Sequence, residues 1–305
     1  MCTTDVEIGG KVQGDGWNRG NSVRSRPALD DARMKVLLTA VQHVETVGIS
    51  LGVSQDLIDR ICLEAGVSAK QFGQVWPSAN AFMADLFCEL ANQAQIDRAD
   101  TETLLTTWQY LSMRTEDLRT PAGRRSVLID IIRTAAEYNF EVVTASSKWR
   151  TYAALSTTIM AWPDEADRSR MLDALQASEL SFVETMESFY RNVLPTVGYR
   201  LKPMFHNDYQ PFVVAAASVI EGLGIVRATV PALVGAHFSA PGAVLEGEGR
   251  EAAPDETWSV SALAFMGVVD AFIEPDPEFV AAEAISRLSS GVDVTPQSPG
   301  ADTSY

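Results

Sequence analysis

The strongest constraint on this chain is the tight turn Ala65–Ser68, which joins two short amphipathic segments. The surrounding stretch, residues 53–87, reads VSQDLIDRICLEAGVSAKQFGQVWPSANAFMADLF. Leu57, Ile58, Ile61 and Cys62 recur at helical spacing and predict a helix with one apolar face over 54–64. Gly66 tolerates the positive φ that ends such a helix. Ser68 is a good N-cap for a second helix over Ala69–Trp76, and Pro77 predicts its end. A third helix is predicted over Asn80–Gln95, with Ala81, Phe82, Leu86, Phe87 and Leu90 on one side.

Two short helices around a glycine turn match the geometry that lays a second helix in a DNA major groove. Ala65, Gly66, Val67 and Ser68, then Phe72, then Trp76 and Ser78 form a pattern. In that pattern residues 29–96 resemble the DNA-binding domain of the TetR-type bacterial transcriptional regulators. The resemblance implies an all-α fold, with a three-helix helix-turn-helix domain followed by a larger helical domain that binds an effector and pairs two subunits. Its partners would be a double-stranded DNA operator, a small apolar or aromatic effector and a second copy of the chain. Two positions depart from the pattern. Gly73 stands where the family usually has a tyrosine, and Ala79 where it usually has a lysine. Both family residues commonly approach the DNA backbone, and such contacts fix a protein's register on the duplex.

Composition fits a folded regulator and argues against a general polyanion binder. The chain has 305 residues, enough for two domains, and its 46% hydrophobic and 21% charged content is ordinary for a globular protein. Its formal charge is −16. Residues 1–98 hold 9 Lys and Arg against 12 Asp and Glu, a balance of −3, so −13 falls on the rest. The acidity thus lies mainly outside the candidate DNA-binding region. Cys2, Cys62 and Cys88 have no disulfide or metal spacing and point to free thiols in a cytoplasmic protein. The strongest apolar run, Pro211–Ile220, is too short for a membrane span.

The expected organisation has five parts. Residues 1–28 are a flexible arm, 29–97 the DNA-binding domain and 98–289 the helical effector and dimerisation domain. A loop near 239–256 interrupts the latter, and 290–305 form a polar tail. Pro121 is placed to open a helix leading into the apolar segment Val127–Ala145. A long helix is predicted over 164–194, further helices over 209–228 and 257–272, and a last one over Pro277–Leu288. The two apolar segments Phe212–Val226 and Trp258–Phe272 are the expected dimer surface, two helices from each subunit.

The recognition helix offers Ser68, Ala69, Lys70, Gln71 and Gln74 for DNA. Gln can pair bidentately with adenine and Lys with guanine. Arg24, Arg26, Arg33 and Lys35 are candidates for phosphate or groove-arm contacts. In the second domain Trp108, Tyr138, Trp149, Tyr152, Phe182 and Met186 are the expected walls of an apolar effector pocket, with Glu187 and Tyr190 as polar anchors. Enzyme chemistry has no foothold. His43, His206 and His237 are scattered without metal-ligand spacing, and neither a phosphate-binding nor a nucleophile-elbow motif occurs, so no metal or other cofactor is expected.

An alternative reading keeps the regulator fold as a ligand-binding or protein-interaction module that no longer reads DNA sequence. Gly73, Ala79 and the net acidity motivate it.

Overall fold

The computed structural model describes residues 21–49, 54–93, 101–239 and 257–289. These are about four-fifths helix, with 12 α-helices and a few short strands among them. The first four helices are α1 (Asn21–Val47), α2 (Gln55–Ala65), α3 (Ala69–Val75) and α4 (Ala79–Gln93). Residues 21–28 were expected as part of a flexible arm, but they are the first turns of α1.

The local chemistry of α2 and α3 follows the sequence closely. Ser54 accepts from the Leu57 amide and caps α2. Gly66 ends that helix at φ 67°, and its N–H donates to the carbonyls of Cys62 and Leu63. The Val67 amide also reaches the Cys62 carbonyl, at 2.9 Å, so the last carbonyls of α2 are satisfied by the turn itself. Ser68 and Gln71 form a reciprocal capping box at the start of α3. Behind the turn, Phe72, Trp76 and Phe82 pack mutually at ring separations of 4.9, 5.3 and 5.1 Å. These rings fasten α3 to α4, and α1 supplies Val36, Leu37, Ala40 and Val41 beneath them.

The remaining helices are α5 (Thr101–Met113), α6 (Pro121–Ala145), α7 (Ser147–Met160), α8 (Glu165–Thr196), α9 (Gln210–Arg227), α10 (Pro231–Val234), α11 (Val260–Phe272) and α12 (Ala281–Ser289). Pro121 is the first residue of α6 and Thr120 its cap, as expected for a proline whose missing N–H has no partner to lose. Asp164 caps α8 through the Asp167 amide. At 32 residues α8 is about 48 Å long. Its first half, through Met171 and Leu175, belongs to the core of α1–α4. Its second half, through Val193 and Leu194, belongs to the core built with α6, α9 and α11.

Four short strands were not foreseen. β1 (Tyr199–Leu201) pairs antiparallel with β4 (Ile273–Pro275), and β2 (His237–Ser239) with β3 (Thr257–Ser259). Trp258 was expected to begin a helix; it lies in β3 with its side chain buried, and Ser259 caps α11 after it. Residues 277–280, placed in the last helix by the sequence, precede α12. Three-residue strands carry too few side chains for a period-2 pattern to register.

The run Pro211–Ile220 is only part of α9, which over its full 18 residues is long and apolar enough to cross a membrane. Within the fold, Phe212, Val213, Ala216, Ile220 and Gly224 turn inward and are buried. α9 and α11 pack on each other and on α6, so the inner faces of both expected dimer segments are core. Val214, Ile225 and Val226 remain exposed on α9. Residues 1–20, 240–256 and 290–305, where the sequence predicts most of the arm, the loop and the tail, lie outside the described residues.

Two glycines should respond oppositely to alanine. A methyl added at Gly66 would meet open space, but the backbone there has φ 67°, so Gly66→Ala should destabilise by about 1–2 kcal/mol. Gly73 also has open space and lies inside α3, so Gly73→Ala should stabilise by about 0.5–1 kcal/mol. Urea unfolding of the two variants measures both signs.

Candidate functional site

Two regions carry candidate function, the outer face of α3 and a cavity in the second helical core. On α3, Ala69, Lys70, Gly73 and Gln74 are exposed. Neither Lys70 nor Gln74 has a hydrogen bond or ion pair with a described residue, so both side chains are free to reach outward. Ser68 and Gln71 are engaged with each other: the Ser68 Oγ–H and N–H both donate to Gln71 Oε1, at 2.7 and 3.0 Å. The Gln71 side-chain carbonyl, half of the bidentate pair expected to meet a base, is therefore occupied in holding the helix start.

The basic candidates on α1 divide in the same way. Arg26 is exposed, and the Arg24 side chain lies outside the described residues. Lys35 pairs with Asp31 one helical turn earlier, at 2.7 Å. Arg33 turns inward to Asp85 on α4, at 3.0 Å. The flanking surface of α2 carries exposed Asp56, Asp59 and Glu64 with one exposed arginine, Arg60.

Asp85 is the polar junction of the molecule. Trp76 Nε1 donates to its Oδ2 at 2.9 Å, and Arg33 Nε donates to the same oxygen at 3.1 Å. Its other oxygen, Oδ1, accepts from Arg170 on α8, and Arg170 also holds Asp167 at 2.9 Å. One carboxylate thus joins α1, the end of α3 and α8. Burial alone would raise its pKa; the hydrogen bonds from Trp76 and Arg170 and the charge of Arg33 outweigh that and hold it below the ordinary range. Along the chain Asp85 stands four residues before Glu89, an ordinary pair of acids one helical turn apart. The long-range partners that give it meaning lie 9, 52 and 85 residues away.

The cavity has a volume of about 260 Å³ and lies among α5, α6, α7, α8, α9 and α11. Trp149, Tyr152, Phe182, Met186 and Tyr190, five of the eight residues proposed from the sequence, line it together. The void exists because small residues face it: Ala135 and Ala136 on α6, and Ala216 and Ala217 on α9. Larger side chains there would fill the space and give the solid packing usual in cores. Gly224 adjusts one wall. A methyl at Gly224 would lie 2.6 Å from the Trp149 ring, so the indole rests directly on the α9 backbone.

Three expected lining residues are elsewhere. Trp108 is half-buried against Phe189, with ring centres 6.4 Å apart, in an aromatic row that continues through Tyr190 and Phe212. Tyr138 is exposed on α6. Glu187 faces outward, where Arg191 donates to it at 2.6 Å and Gln210 at 3.2 Å. The Arg191 bond first, and Gln210 with it, hold its pKa low. Helical spacing placed Glu187 near Tyr190 along the chain but did not fix which way α8 is rotated. The charged residues that do line the cavity are Lys148 and Glu221, of opposite sign, and Asn139 and Thr107 add polar groups. None of these four carried a sequence signal, because isolated polar residues in helices are ordinarily surface residues.

Among the described residues no group of three or more His, Cys, Asp or Glu is arranged to hold a metal. Compared with protein-family models, curated proteins and solved structures, the chain matches none.

Asp85→Asn should cost about 1–3 kcal/mol at neutral pH, since charged hydrogen bonds are lost, Arg33 loses its counter-ion and Arg170 keeps only Asp167. A folded-state pKa below the unfolded value means that the carboxylate's contribution is complete above roughly pH 4 and disappears as pH falls through the lowered value. Wild type and variant should therefore converge in stability only in acid, which denaturation at stepped pH will reveal. Gly224→Ala must move the Trp149 indole and should cost about 1–3 kcal/mol by overpacking.

Proposed function

We propose that the protein is a ligand-responsive, DNA-binding transcriptional regulator of the TetR type, acting as a homodimer and released from its operator by a small apolar effector. The observation that carries this reading is the continuity of α8. The same helix offers Phe182, Met186 and Tyr190 to the cavity and, at its other end, binds Asp85 through Arg170. Asp85 in turn holds Trp76, the residue that caps the end of α3. A ligand that shifts α8 has a direct mechanical route to α3.

In this reading α2 and α3 are a helix-turn-helix, and α3 enters the major groove. Lys70 and Gln74 read or approach base edges, while Ser68 and Gln71 set the start of the helix. Arg26 supplies a phosphate contact. Arg33 acts inside the protein, on Asp85, and not on DNA. The exposed apolar side chains Val214, Ile225 and Val226 on α9 suit subunit pairing, since the fully buried parts of dimer interfaces are poor in charge. The effector biases the equilibrium between dimer geometries by binding one better than the other.

A second reading, a ligand-binding module of this fold without sequence-specific DNA binding, is favoured by one specific feature. Asp56, Asp59 and Glu64 stand exposed on α2, and Gln71 is committed to its cap. Acidic groups near phosphates repel them.

The two readings separate in one experiment, selection of bound duplexes from a random DNA pool by the purified full chain. The regulator reading expects an enriched sequence with two related half-sites about one helical turn apart. Its affinity should fall with added salt, by a slope set by the few cations, such as Lys70 and Arg26, that face outward. Lys70→Ala should weaken binding without changing helical content by circular dichroism, and Gln74→Ala should alter sequence preference more than overall affinity. A folded protein that enriches no sequence overturns the regulator reading and leaves the binding module.

A further inference from the structure

Tyr190 is the unusual group in the cavity. It lies on α8 with its ring between Phe189 and Phe212, at 5.3 and 4.7 Å. Its side chain keeps accessible surface, while the protein packed around the ring desolvates the phenol and pushes its pKa up. Both observations hold together because Tyr190 lines the void, so the accessible surface belongs to the cavity wall. No described residue makes a hydrogen bond to its hydroxyl. A phenol that faces a void with no protein partner is open to a hydrogen bond from whatever fills that void.

The rest of the lining defines what can satisfy it. Most of the wall is aliphatic or aromatic, and the charged residues on it are one lysine and one glutamate. Lys148 is exposed and sits at the outer edge. The two lining charges are opposite in sign, so the wall as a whole offers an ion no net counter-charge, and an uncompensated buried charge is expensive. A neutral phenol can donate to a carbonyl or accept from a hydroxyl. Asn139, on α6, lines the same void and likewise has no hydrogen bond to a described residue.

We propose that the cavity takes an uncharged, mainly apolar molecule bearing one hydrogen-bonding group, a carbonyl or a hydroxyl, which is held by the Tyr190 phenol. This rests on the reading of the cavity as an effector site and specifies the chemistry of the effector. Tyr190 is then the specificity-determining residue. The apolar walls supply affinity for any molecule of suitable shape, and the phenol selects among them.

The test uses four probes on one skeleton with the full chain: benzophenone, diphenylmethanol, diphenylmethane and the diphenylmethylammonium ion. Titration calorimetry should give benzophenone and diphenylmethanol about 3- to 10-fold tighter binding than diphenylmethane, the range expected for one net hydrogen bond. The cation should bind more weakly than all three. In Tyr190→Phe the preference should shrink to within about twofold, with diphenylmethane affinity unchanged. Equal binding of the neutral probes by the wild type, or a preference retained in Tyr190→Phe, overturns the role of Tyr190 while the effector-site reading stands. Tighter binding of the cation overturns the uncharged class. Binding of none of the four overturns this inference and the effector site together, and sequence-specific DNA binding in the selection described above would then mark a regulator without that effector. The wild-type ordering of the probes tests the proposal even if the variant fails to fold.

Discussion

The structure depends on one carboxylate. Asp85 receives the Trp76 indole N–H and the guanidinium groups of Arg33 and Arg170, and so ties α1, α3, α4 and α8 at one point. Its side chain is only 12% exposed, so water competes weakly for these bonds. The arginines are roughly half exposed, which limits what each pair contributes alone. The importance of the junction is directional. It fixes how the end of α3 is placed relative to α8, which apolar packing by itself specifies loosely.

Around that point the molecule is built on a single long helix shared by two cores. The first half of α8 is packed with α4 and α7, and the second half with α6, α9 and α11. In the proposed regulator this helix, held in both cores, is the route by which a displacement passes from one to the other. The cavity lies against the second half, where alanines on α6 and α9 leave room. A fold that is close-packed at the junction and open at the far end of the same helix has the parts needed for a ligand to act at a distance.

Surface charge gives the proposed interface an unusual character. Much of the basic equipment expected near α3 is used within the protein: Arg33 on Asp85, Lys35 on Asp31. Lys70 and Arg60 remain outward, beside Asp56, Asp59 and Glu64. An interface with so few cations gains little from phosphate neutralisation, so any discrimination it makes must come from groups such as Gln74 at base edges.

Local chemistry made much of the fold legible in the sequence. The glycine turn, the Ser68 cap, the proline at the start of α6 and the helical spacing of apolar residues each act within a few residues, so reading the chain locates them. The aromatic residues that share the cavity were legible for the same reason, as apolar positions on neighbouring helices. What only the tertiary structure decided is which faces meet. Helical rotation sent Glu187 and Tyr138 outward and brought Asn139 and Glu221 to the cavity. Long-range pairing turned Arg33 from a surface cation into a partner of Asp85, and set the three-residue strands β1 and β4 together across 74 residues. These outcomes depend on contacts between distant segments, whose energies do not appear in the spacing of residues along either one.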